Sequence, residues 1–224
     1  RLENEKDFPQ ICNETIYRFI KERRPEFKQY LLLLSHGNYR KRSTKKSSSV
    51  QDCRRIDERP SFVEERKELG HWEGDTIVFQ CRRNALATFV ERASGYLLAE
   101  KMINCSSSEM VSVSSELFSI IPIEKRKTCT NDNGSEFSYH KIMEEELSMT
   151  MYFAYPYHSW ERGTNENTNR LLRQFFPKGT DFSKIEHWEV AWAVNLINHR
   201  PRKRLGYRTP HQVFHEIKEC CTSG

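Results

Sequence analysis

The sequence predicts an α/β fold, a mixed sheet flanked by helices, and three observations carry that reading. Three runs of strand character come first: residues 72–80 (WEGDTIVFQ), 86–92 (LATFVER) and 95–101 (GYLLAEK), with Gly95 at the second turn. From Ser106 the apolar period then lengthens to that of a helix, through Met110, Val113, Leu117 and Ile120, until Pro122 stops it. After that, short strand-like and longer helix-like segments alternate.

Taken in order, Lys127 to Asn131 reads as a fourth strand, Asn133-Gly134 as a turn, and Ser138 to Leu147 as a helix. Thr150 to Ala154 reads as a fifth strand before the turn Tyr155-Pro156-Tyr157, and helices follow over 162–176, 184–198 and 209–218. The predicted order is β-β-β-α-β-α-β-α. Upstream, residues 10–24 form a short basic helix with Asn13 as N-cap. It is either the end of a DNA-reading helix-turn-helix or a solvated surface helix. Between Asn38 and Arg59, eight basic residues, among them Arg40, Lys41 and Arg42, face three acidic ones. This reads as a flexible basic linker that could lie along phosphates or touch nothing. The predicted division is 1–36 for the helical region, a partial helix-turn-helix on the first of those readings, 37–60 for the linker, 61–219 for the α/β core and 220–224 for a tail.

The 224 residues carry 36 Lys and Arg against 31 acidic side chains, a net charge of +5, with 30% charged and 37% hydrophobic residues. Such a composition suits a soluble domain with enough apolar content for a core. No stretch approaches the ~18 apolar residues of a membrane span, and no secretory leader is visible, so the expectation is a cytoplasmic protein. Seven cysteines, an odd number without a C-x-x-C pair, predict reduced thiols and no zinc site. Trp188 and Trp192, one helical turn apart, are expected in the core.

Three carboxylates invite a chemical reading. Asp75 lies in mid-strand, where aspartate is disfavoured; Asp132 ends a strand; Glu166 opens a helix. Singly, each has a plain explanation, as a strand-face partner of an arginine, a turn former, or first-turn charge on a helix dipole. Jointly, they could converge at one end of a sheet. Hard oxygen ligands suit Mg²⁺, and two such ions can support an in-line phosphoryl displacement. At 100° per residue, Arg162, Asn169, Arg170 and Arg173 fall on the Glu166 side of the helix, opposite Thr168, Leu171, Leu172 and Phe175. A carboxylate among arginines suits phosphate.

The segments Gly70-His-Trp-Glu-Gly-Asp-Thr-Ile-Val78, Asp132-Asn-Gly-Ser-Glu-Phe137, Trp160-Glu-Arg-Gly-Thr-Asn-Glu-Asn-Thr-Asn169, Phe176-Pro-Lys-Gly-Thr-Asp181 and Asn198-His-Arg-Pro-Arg-Lys-Arg-Leu-Gly206 closely resemble the IS-thirty family of bacterial insertion-sequence transposases. Glu14-Thr-Ile-Tyr-Arg-Phe19 also resembles the end of that family's helix-turn-helix, so the chain is expected to begin inside that region. The resemblance implies a ribonuclease-H-like core of five strands and a D-D-E triad. Asp75 and Asp132 match the aspartates; Glu166 matches the glutamate, with 33 residues between it and Asp132. Glu161 is the rival. The implied activity is cleavage at terminal inverted repeats followed by strand transfer, with Mg²⁺ or Mn²⁺, on double-stranded DNA, by a homodimer or higher multimer. The alternative is a decayed or repurposed DNA-binding protein on the same fold. Where the family usually has glycine after N-E-N-T-N and threonine before the second aspartate, this chain has Arg170 and Asn131. Arg200-Pro-Arg-Lys-Arg204 is read as a DNA-backbone contact through Arg200, Arg202, Lys203 and Arg204, with a solvated loop as the other possibility. Tyr155, Tyr157 and Trp160 could stack on a terminal base or pack in the core.

Overall fold

A computed structural model describes residues 50, 52–79, 84–155 and 163–217, with Thr15, Arg18 and Phe19 in a helical segment nearer the N-terminus. The chain divides into two units, Arg1–Lys46 and Ser47–Gly224, and the second carries the sheet and the three candidate carboxylates.

The centre of this second unit is a five-stranded sheet built from β1 (His71–Val78), β2 (Ala85–Glu91), β3 (Leu97–Met102), β4 (Thr128–Asn131) and β5 (Thr150–Phe153). The strands lie in the order β3-β2-β1-β4-β5. β1, β2 and β3 form an antiparallel meander, whereas β4 and β5 add parallel to β1. The two crossovers that parallel pairing requires are made by α1 (Ser107–Ser119) and α2 (His140–Leu147). α3 (Gly163–Phe175), α4 (His187–Asn198) and α5 (Pro210–Phe214) complete the unit. The predicted element order therefore holds. Boundaries moved where capping decides them: the Ser106 hydroxyl accepts the Glu109 N–H to open α1, and α4 starts at His187, behind Glu186, rather than at 184. α5 is only five residues long.

Side chains alternate across the sheet, so each face has its own core. On one, Trp72, Phe89 and Phe118 meet edge to face, and Met110, Met143, Leu147, Phe153 and Phe214 close around them. On the other, Ile77, Phe79, Leu86, Val90 and Leu97 pack under Leu171, Leu172, Phe176, Phe182, Val190 and Ile197. The edge strand β3 is covered by a side chain: Asn198 accepts the Leu97 N–H and donates to its carbonyl, taking the place of a strand neighbour.

Two expectations fail here. Trp188 and Trp192 are 67% and 54% exposed, because the buried stripe of α4 runs through Val190, Ala193 and Ile197. The two tryptophans occupy the opposite side of the helix. The expected linker, too, is ordered by its end: Val50 is in the core, Arg55 bridges to Phe153, and Arg59 is buried.

Candidate active site

Strand register sets two of the three carboxylates at matching positions, Asp75 on β1 and Asp132 just past the end of β4. β1 and β4 run parallel with Glu73 opposite Thr130, so Asp75 and Asp132 each stand two residues beyond that pair. Neighbouring strands are about 4.8 Å apart. Alternation puts both aspartates on the face that carries Glu73, Ile77 and Thr130, under α3. Close approach of the strands depends on Gly74, where a Cβ would lie 2.1 Å from Asn131 Oδ1. Asn131, which stands where the family has threonine, fills the space beside that glycine and points to the opposite face.

Each aspartate is oriented by a neutral hydrogen bond. Asn169 on α3 donates its amide to Asp75 Oδ2 at 2.7 Å, while the Asp132 carboxylate accepts the Gly134 N–H at 3.0 Å across a tight turn. Glu166 lies in the first turn of α3, exposed, one turn before Asn169 and on the same side. The helix that holds Asp75 in place therefore also carries Glu166. Among the described residues, no three His, Cys, Asp or Glu side chains approach closely enough to hold a metal ion by themselves. The donor set nonetheless suits Mg²⁺, which binds through one or two carboxylates and fills its shell with water and phosphate oxygens.

The basic residues sort into distinct roles. Arg170 is exposed and bonds locally, to Asn167. Arg173, expected on DNA, lies with its guanidinium 4.6 Å from the centre of the Phe79 ring and donates to the Val78 carbonyl; burial lowers its pKa. Asn169, also expected on DNA, is bonded to Asp75. In the 200–204 cluster, Arg204 donates to the Ala93 carbonyl at 2.7 Å. Arg202 reaches the Ile197 carbonyl, and burial, with Arg200 and Arg204 nearby, pushes its pKa down to about 10. Arg200 and Lys203 are exposed. Arg40, Lys41, Arg42 and Arg162 lie outside the described residues, as do Tyr157, Trp160 and the rival Glu161. Tyr155 donates to Asp57 at 2.6 Å.

Sequence reasoning missed two features. Glu73 is fully buried between Arg92 and the backbone of Asn165; a charged residue two positions before Asp75, on the same strand face, was the available signal. A row of rings is the other: His199 stacks on His211, and His215 lies tilted against His211, with centroids 4.5 Å apart in each pair. The four-residue step from His211 on α5 to His215 at its C-cap announces it.

Comparison with known proteins places this geometry. No family model matches the chain. It is 39% identical over 215 residues to the transposase for insertion sequence element IS4351 of Bacteroides fragilis, covering 92% of this chain and 64% of the relative. It is also 32% identical over 213 residues to transposase InsI for insertion sequence element IS30A of Escherichia coli, covering 91% and 55%. The chain is thus similar over most of its length to insertion-sequence transposases, that of IS30A among them. A third relative, the transposase for IS1086 of Cupriavidus metallidurans, is 37% identical over 180 residues, covering 80% of this chain and 52% of its own length. The chain thus spans roughly half to two thirds of the transposases it matches. Its fold matches the catalytic core domain of BIV integrase, with a TM-score of 0.52 at 20% identity, covering 66% of this chain and 95% of that one. The ribonuclease-H-like expectation for the fold is met. Among the described residues, no helix is long and apolar enough to cross a membrane.

Proposed function

We propose that this chain is the core of a DNA transposase that cleaves at the terminal inverted repeats of an insertion sequence and joins the freed ends to new DNA. The observation that carries the reading is the β1–β4 register: Glu73 pairs with Thr130, and Asp75 and Asp132 each follow two residues later. α3 packs on β1, is bonded to Asp75 through Asn169 and bears Glu166. The family's transposition activity supports it.

In the first step, water attacks a phosphorus at the element's end and its P–O3′ bond breaks, leaving a 3′-OH and a 5′-phosphate. In the second, that 3′-OH attacks a target phosphodiester and displaces the target's own 3′-oxygen. Two Mg²⁺ or Mn²⁺ ions, held by Asp75, Asp132 and Glu166, would supply nucleophile activation and neutralisation of the phosphoryl charge. The chain's own part is positional. Asn169 fixes the rotation of the Asp75 carboxylate, the Gly134 N–H fixes that of Asp132, and α3 presents Glu166. Arg170, one turn beyond Glu166, can meet a phosphate. Arg200 and Lys203, with Arg40, Lys41, Arg42 and Arg162, would follow the DNA backbone. Two copies of the protein would pair two DNA ends.

The test is cleavage and joining of an inverted-repeat duplex by purified protein in Mn²⁺. Asp75→Asn, Asp132→Asn and Glu166→Gln should each abolish both steps without lowering Tm, while Glu161→Gln should not. Retained joining in any of the first three overturns the assignment. Light scattering with DNA tests pairing.

A further inference from the structure

A chain of hydrogen bonds, buried except where it passes through the exposed Glu64, comes within two residues of all three proposed catalytic carboxylates. It starts at α3, where the Asn165 N–H donates to Glu73 Oε2 at 3.0 Å. Glu73 Oε1 accepts from Arg92 Nη1 at 2.9 Å, and Arg92 Nη2 donates to Glu64 Oε2 at 2.9 Å. Glu64 also pairs with Arg59, whose Nη1 donates to Thr130 Oγ1 at 2.7 Å. Glu73 precedes Asp75 by two residues on β1, Thr130 precedes Asp132 by two on β4, and Asn165 adjoins Glu166 on α3.

We propose that Glu73, held by Arg92, is a positioning residue: it sets where the first turn of α3, and so Glu166, stands relative to Asp75 and Asp132. The inference rests on the carboxylate assignment above. Three observations support it. Glu73 and Arg92 are 0% and 1% exposed, yet a buried ion pair is a poor source of stability beside an apolar pair of the same size. What such a pair adds is direction, because one carboxylate makes two bonds at fixed angles. The first N–H groups of a helix also need acceptors from outside it, and a carboxylate is favoured there. Finally, both amide atoms of the buried Asn165 side chain and the Thr164 hydroxyl have no hydrogen-bond partner among the described residues, so it is the Asn165 backbone bond to Glu73 that ties this turn to the sheet.

The role differs from simple structural support in what it would move. Glu73→Gln keeps an acceptor for the Asn165 N–H but loses the charge that holds Arg92, so the turn is tied to an unanchored side chain. The test measures Mn²⁺ binding by calorimetry and amide hydrogen exchange over residues 165–167 without metal. The control is Met110→Ala, in the core of the other face, compared at matched distance from its own Tm. Glu73→Gln should weaken Mn²⁺ binding at least tenfold and speed exchange at 165–167 tenfold, while the control changes neither. Asp75→Asn should remove Mn²⁺ binding altogether. If the unsubstituted protein binds no Mn²⁺, the carboxylate assignment fails and this inference with it. If it binds and Glu73→Gln binds equally well, with unchanged exchange, only the positioning role is overturned. Should Glu73→Gln not fold, Arg92→Lys is read in the same way: it keeps the cation but cannot fork to both Glu73 and Glu64.

Discussion

The two faces of the sheet are built on different principles. Under α1 and α2, Trp72, Phe89, Phe118 and Phe153 fill the space with apolar volume, and the polar tip of Trp72, Nε1, is satisfied by the Lys125 carbonyl. Under α3, apolar packing runs along Ile77, Phe79, Leu86, Leu171, Leu172 and Phe176; beside it stand Glu73, Asp75, Thr130, Asn165 and Asn169. One face is held by volume and shape, which tolerate small shifts. The other is held at its β4 end by directional bonds, which do not. Chemistry that depends on carboxylate spacing sits on the second.

That contrast can be broken from either side. On the apolar face, Phe118→Ala removes a ring that meets both Trp72 and Phe89, and should cost about 3–5 kcal/mol in denaturant unfolding. On the polar side, Arg92→Met should cost a similar ~3–5 kcal/mol, because Glu73 is left buried and unpaired. The two should then diverge. The double variant Glu73→Leu/Arg92→Met should recover most of the stability while leaving catalysis impaired, whereas no second substitution beside Phe118 should trade stability against activity in that way. Full loss of stability in the double variant would mean that the pair acts as ordinary support.

Gly74→Ala sharpens the comparison at the β1–β4 seam. The new methyl would collide with Asn131, which is fully buried against Cys129 and Met151, so about 1–3 kcal/mol of overpacking is expected, with strand pairing beside both aspartates disturbed. The smallest effect is in pH. Burial holds the His71 imidazole below the ordinary histidine range, although Glu68 pulls the other way. The unfolded chain therefore takes up a proton that the folded one resists, and stability falls as pH drops through ~6.5. Tm measured from pH 7.5 to 5.5 should fall less steeply in His71→Gln than in the unsubstituted protein.

The periodicities made the fold legible: five strands and their order with the helices followed from local apolar spacing, because each element must bury one face. Residue choice alone pointed to Asp75, since an aspartate in mid-strand is out of place unless something requires it. Distance along the chain hid the rest. Nothing local marks Arg59, Glu64 and Arg92 as a network, because their partners lie 5 to 71 residues away. For Arg173, Arg202 and Arg204, read as phosphate contacts, the sequence does not say that a guanidinium also lies on Phe79 or against a carbonyl. Trp188 and Trp192 read as core because helical spacing gives a stripe but not the direction in which it turns.

What the amino-acid sequence determined by itself was the set of elements, the family, and the kinds of side chain available for chemistry, all of which depend on local pattern. Only the tertiary structure decided which charges are buried, which pair with which, and which helix face meets the sheet. Those are set by strand register and helix rotation, and both are fixed by contacts between residues far apart in the chain.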